Sequence, residues 1–187
     1  MAINTSLLQK LVEARKQLVL KPLRFKPNDL SPAMSPETID YHYNQLAKAY
    51  VDRFNRGEGD PSFNEAAAFL HNMWFEQFEK YTNSSLVVPS GKTLTLIVQK
   101  YGSFQKFKEQ FFKVAMGIQG SGWVYLAKDG EIKTIPNHSV TNRNEILFLV
   151  DWWEHAWALD YQSDKKAYMD NLWRIVDWNV IEDRING

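Results

Sequence analysis

The sequence predicts an α+β fold: an N-terminal antiparallel helical hairpin, then a C-terminal α/β domain with a small three-stranded antiparallel sheet. Three observations carry that expectation. Two stretches of helical period flank a Gly57-Glu58-Gly59-Asp60-Pro61 turn. The pattern changes across residues 83–90, a plausible linker. Beyond it, Lys128-Asp129-Gly130 separates two short apolar runs, and Asp-Gly in that setting signals a β-hairpin.

Taken in order, Leu7, Leu8, Leu11 and Val12 recur at helical spacing behind Thr5 and Ser6, which predicts an amphipathic helix to about residue 18. Pro22, Pro27 and Pro32 make the next stretch an irregular connector. Ser35 reads as an N-cap, with Pro36 at the first helical position and Glu37 in the first turn, and that helix should run to about Arg56. The second hairpin helix is expected over about residues 64–81. Two more follow over 91–98 and 103–116, broken at Gly102. Residues 122–127 and 131–135 form the hairpin strands, 145–150 a third apolar run of strand length, and 164–181 return to helical period. The expected division is an N-terminal extension (1–20), a helical hairpin domain (21–84) and a C-terminal α+β domain (85–187).

Twenty-two basic and 22 acidic residues cancel, so no net field points to nucleic acid or an anionic membrane surface. There is no cysteine, which excludes disulfides, thiolate catalysis and cysteine-ligated zinc or iron–sulfur sites. The first twenty residues lack a signal-peptide apolar core, and no window approaches the roughly 18 apolar residues of a membrane span. The expected setting is cytoplasm or an equivalent reducing compartment.

The chemistry concentrates in few residues. Of only four histidines, His42 lies mid-way along the first predicted hairpin helix and His71 along the second. Antiparallel helices can present one residue each to a common point. Asp151 and His155 sit four apart directly after the third apolar run, so a carboxylate at a strand end and an imidazole one turn later can converge on one ion. Three imidazoles and a carboxylate suit iron, manganese or zinc. Against this, a lone His on an apolar face is usually a hydrogen-bonded core residue, and a D-x-x-x-H spacing recurs by chance.

The surrounding residues narrow the choice. Asp151-Trp-Trp-Glu-His-Ala156 resembles the D-x-W-E-H-A signature of Fe/Mn superoxide dismutases, and the similarity continues through residues 159–162, Tyr168, Trp173 and Trp178-Asn179. Residues 30–43 resemble the family's first helix entry, with His42 at the first ligand position. His71-Asn-Met-Trp-Phe75 is similar to the run that carries the second ligand, and Gly120-Ser-Gly-Trp-Val124 to the family's strand opening. The resemblance spans roughly residues 20–182.

It implies the family's two-domain fold and one Fe or Mn ion per chain, held by His42, His71, Asp151 and His155. It also implies superoxide as substrate, disproportionated to dioxygen and hydrogen peroxide. Tyr50 matches the tyrosine beside the metal, Trp123 the site wall, and His138 the outer group that hydrogen-bonds solvent at the metal. Some departures are also visible. The hairpin is shorter between His42 and His71 than in common family members, and an ungapped match would put Asn72 rather than His71 at the ligand position. Leu46 and Ala158 stand where the family has a gateway histidine and a tyrosine that meets it across the dimer, whereas Glu154, which reaches toward the partner's ligand histidine, is retained. The implied assembly is a homodimer through the Glu154 region, or another contact through the N-terminal helix. Two further readings remain at this stage: the same fold reused as a structural subunit with idle or absent metal, and a zinc hydrolase, for which no general base stands beside the histidines.

Overall fold

Ser35 begins the hairpin as the sequence leads one to expect: its hydroxyl accepts from the Thr38 amide, and Pro36 needs no amide partner in the first turn. In the computed structural model, which describes residues 17–84, 87–139 and 141–187, the first helix (α1) then runs in three parts. Pro36–Ile39 is α-helical, Asp40–Ala47 is π-helical and Lys48–Arg56 is α-helical again. Gly57 stops it in the left-handed conformation at φ 73°, which glycine adopts without steric cost. The predicted N-terminal helix falls on residues outside those described, apart from its expected last two, Gln17 and Leu18, which are not helical.

The second helix (α2) spans Pro61–Glu76, with Asp60 capping the Phe63 amide. It starts and ends earlier than the expected 64–81. The start follows from Asp60-Pro61, a cap and first-turn proline pair. The end follows from a tertiary competitor: the Gln77 side chain leaves the helix line to accept from the Leu149 amide at 3.2 Å and donate to its carbonyl at 2.5 Å. Phe78 then forms a bridge with Val176. Ala66, Ala67 and Ala68 are buried along α2 and leave room for close helix approach. Across the outside of the hairpin, Asn55 pairs with both backbone groups of Leu18, and Asn72 grips the Val19 carbonyl and the Lys21 amide.

The third helix (α3) is Gly91–Tyr101 and the fourth (α4) Phe104–Met116, capped by Ser103 and separated from α3 by Gly102 at φ 82°. Three strands follow: β1 Gly122–Ala127, β2 Ile132–Pro136 and β3 Ile146–Asp151. They form an antiparallel sheet in the order β2-β1-β3. Every residue of β1 and β3 is buried, because helices cover both faces, so these strands read as continuous apolar runs rather than alternating ones. The register sets Trp123 opposite Ile135 on one side and Asp151 on the other, which brings site residues to one end of the sheet.

The helical stretch expected over 164–181 is two pieces, α6 Lys165–Leu172 and α7 Trp178–Asn186, and a short α5, Ala158–Tyr161, precedes them. Asp177 caps the last of these, and its amide bonds to the Gln77 carbonyl, so the break serves the junction with α2. Phe107, Phe111, Phe148, Trp173 and Trp178 fill the core between α4, β3 and α7, with the two indoles stacked at 6.3 Å. No described helix is long and apolar enough to cross a membrane.

Candidate metal centre

His42 and His71 face each other from α1 and α2, their ring centroids 5.0 Å apart and neither side chain exposed. Asp151 ends β3, and the 3-10 turn Glu154–Ala156 returns His155 beneath it. The Nε2 atoms of His42, His155 and His71 lie 3.1, 3.3 and 3.8 Å from one oxygen, Asp151 Oδ2. The other carboxylate oxygen, Oδ1, is engaged by the Trp153 amide at 2.8 Å, and Tyr168 donates to the Asp151 carbonyl at 2.9 Å. The carboxylate therefore presents one oxygen to the imidazoles.

Ligand atoms about 2.1 Å from one metal and about 90–120° apart lie roughly 3.0–3.6 Å from each other. The His42 and His155 distances to Asp151 fall in that range, the 3.8 Å of His71 lies just beyond it, and all four candidate atoms fall within 4.8 Å of one another. The hydrogen-bond inventory agrees. His71 Nδ1 lies 2.7 Å from the Ala67 carbonyl, so it carries the proton and leaves the Nε2 lone pair aimed into the cluster. His42 Nε2 and His71 Nε2 are buried without a hydrogen-bond partner, a costly arrangement unless something between them accepts their lone pairs.

Electrostatics point the same way. Burial pushes the His71 and His42 imidazoles below their ordinary pKa, most strongly His71, so both are neutral and able to ligate. Burial alone would raise the Asp151 carboxyl, but the neighbouring His155 imidazole outweighs it and holds it below the usual carboxylate range.

Around the cluster stands an aromatic shell. Trp123 Nε1–H donates to His138 Nδ1 at 3.1 Å, which leaves His138 with its proton on Nε2, itself buried and without a protein partner. Burial lowers the His138 pKa to about 4, so the ring is neutral at ordinary pH. Trp153 stacks on it at 4.3 Å and 13°. Tyr50 lies 4.9 Å from His138 and 5.5 Å from His71, its phenol pushed up by burial and by Asp151, with Arg53 opposing. Phe75 packs on His42 at 5.1 Å. All four histidines thus meet in one place.

Nothing in the sequence singles out Phe63 as a site residue. It packs on both Tyr50, at 6.0 Å, and His138, at 4.9 Å, a meeting that depends on how α2 is set against the loop after β2. Asn72 lies outside the cluster, on the outer face of α2.

Residues 89–184 match the family model described as iron/manganese superoxide dismutases, C-terminal domain. The Mn/Fe superoxide dismutase of Porphyromonas gingivalis is 33% identical over 87% of this chain and 96% of its own length. The chain belongs to the iron/manganese superoxide dismutase family. Its similarity to the Fe superoxide dismutase of Bacteroides fragilis is 35% over 87% of this chain and 96% of that protein. For the Fe enzyme of Pyrobaculum aerophilum it is 30%, over 91% and 92%. Membership in the Fe/Mn superoxide dismutase family makes the zinc hydrolase reading unnecessary.

Proposed function

We propose that this chain is a working superoxide dismutase, with one iron or manganese ion held by His42, His71, Asp151 and His155. The observation that carries the reading is the convergence of three imidazole Nε2 atoms on a single carboxylate oxygen in a buried pocket. Family membership and the neutral state of the buried imidazoles support it. The metal supplies a one-electron couple that oxidises one superoxide to dioxygen and reduces the next, which takes up two protons to become hydrogen peroxide.

The protein's residues have three tasks around that couple. His138 Nε2–H is buried with no protein partner, so it would donate to a small ligand held beside an ion in the site, favour that ligand's more basic form and thereby tune the potential. Trp123 fixes that tautomer, and Tyr50 places a phenol proton beside His138 on the route inward. Trp153, Phe63 and Phe75 exclude bulk water, which strengthens the electrostatic interactions inside.

The test is metal content by mass spectrometry on protein purified without chelators, with superoxide turnover assayed on the same sample. Near-stoichiometric iron or manganese with fast turnover is expected, and Tyr50→Phe should keep the metal while slowing turnover by up to about tenfold, the worth of one hydrogen bond. Metal without turnover would favour a descendant of the fold that keeps an idle site. We also infer a homodimer through the Glu154 region. Glu154 is exposed beside His155, the ligand whose side chain keeps 13% exposure. Sedimentation should give about twice the 21.8 kDa chain mass, and a monomer at micromolar concentration would count against this contact.

A further inference from the structure

The dismutase reading leaves open how an anion finds a buried site on a protein of zero net charge. With no overall field, local uncompensated charge at the approach decides whether superoxide is drawn in or ignored. His42, His71 and Asp151 have no exposure, His155 keeps 13%, and Tyr50 reaches 9% with half-buried Phe63 against it, so the site comes close to solvent at Tyr50 as well as at His155.

Between Lys48 and Asp60 stand three cations and three anions, and two ion pairs leave one of each, Arg53 and Asp60. Lys48 is bound to Asp52 at 2.5 Å, and Arg56 to Glu58 at 2.8 Å and 2.9 Å. Asp60 is engaged in capping the Phe63 amide. Arg53 has no ion-pair partner among the described residues; it is exposed, and its guanidinium carbon sits 5.9 Å from the centre of the Tyr50 ring. The one unpaired cation of this stretch thus lies over the tyrosine that borders the metal pocket.

We propose that Arg53 is a steering residue, whose guanidinium draws the superoxide anion to the Tyr50 side of the site. It acts on the approach of substrate and not on the chemistry, so it should govern kcat/KM and leave kcat alone. A unit charge acting over about 6 Å through water-like surroundings changes the local anion concentration by roughly threefold. The inference rests on the dismutase reading, and its test separates the two.

Metal-loaded wild type, Arg53→Gln, Arg53→Lys, Arg53→Glu and Lys113→Gln would be compared for metal content, for kcat and kcat/KM between low and high salt, and for azide affinity followed in the visible spectrum. Lys113, exposed on α4, controls for loss of one positive charge elsewhere. In wild type, kcat/KM should fall as salt rises. Arg53→Gln should lower it about threefold at low salt and flatten that slope, Arg53→Glu should invert the slope, and Arg53→Lys should restore most of it. Azide should weaken by a similar factor in Arg53→Gln but not in Lys113→Gln. Wild-type rate, salt slope and azide affinity in Arg53→Gln would overturn steering while leaving the dismutase intact. A metal-loaded wild type without turnover would sink the dismutase reading and, with it, Arg53 as a guide for superoxide.

Discussion

His71 and Asn72 are chain neighbours, and family patterning alone admits either at the ligand position. In the structure they face opposite ways. His71 turns Nε2 toward Asp151, whereas Asn72 holds the backbone of Val19 and Lys21. His71→Ala should therefore weaken metal binding by at least about 100-fold, since loss of even an outer partner of a ligand costs 10–100-fold. Asn72→Ala should keep full metal and lose about 1 kcal/mol in urea unfolding, the scale of an exposed hydrogen-bonded side chain. Equal metal content in the two variants would reject the assignment. At this scale the sequence was readable where function leaves a dense local pattern, as in residues 151–156. It was silent on Phe63 and Arg53, whose meaning arises from what α1 and α2 bring beside them in space.

Among the elements, α1 departs furthest from a uniform helix. His42 and Tyr50 are eight residues apart, and in a regular helix eight residues overshoot a common face by roughly 80°. The π-helical turn at Asp40–Ala47 takes up an extra residue, so Tyr50 turns as a seventh residue would, to the side where it meets His71 and His138. Apolar periodicity gives no warning of such a turn. The starts at Ser35 and Ser103 were legible because both residues are local caps, the start of α2 at Asp60-Pro61 was missed although its signal is equally local, and the end of α2 depended on Gln77 meeting β3, a distant contact. The α3–α7 junction yields a prediction of the same kind. The Glu182 carboxylate accepts from the Lys92 and Thr93 amides and the Thr93 hydroxyl, capping α3 from another element. The Thr93 and Lys92 hydrogen bonds hold its pKa below the ordinary value. A carboxylate depressed in the folded state stabilises above its unfolded pKa, near 4.5, and that contribution fades as pH falls through the folded value. Glu182→Gln should thus cost about 1 kcal/mol at pH 7, the usual worth of a helix cap, and the gap to wild type should close on acidification. A gap that stays constant from pH 7 to 3 would show that the charge is irrelevant there.

Across the whole molecule, two ligands come from the helical hairpin and two from the end of β3 and the turn after it, so an ion in the site ties together parts that pack from opposite ends of the chain. Because the unfolded chain lacks this arrangement, binding adds directly to folding stability. At free metal a hundredfold above Kd the gain is about 2.7 kcal/mol, which for a chain of this size raises Tm by roughly 5–10 °C. Calorimetry on metal-free and reloaded protein should show that rise, and His71→Ala should abolish it; equal melting with and without metal would mean that the cluster does not bind in the folded state. Fold class was legible at this scale because hairpin turn, linker and β-turn are all local signals. The way the hairpin meets the sheet was not, because Gln77, Arg184 and Asp177 make that junction over long sequence separations.

The same division of ligands has a consequence in time. A ribosome adding about 5–20 residues per second delivers His42 and His71 several seconds before Asp151, which lies roughly eighty residues further on. Throughout that interval the nascent chain owns half a site, two imidazoles without a carboxylate, which holds an ion weakly and discriminates little among metals. The full set of four ligands exists only once His155, four residues beyond Asp151, has been made.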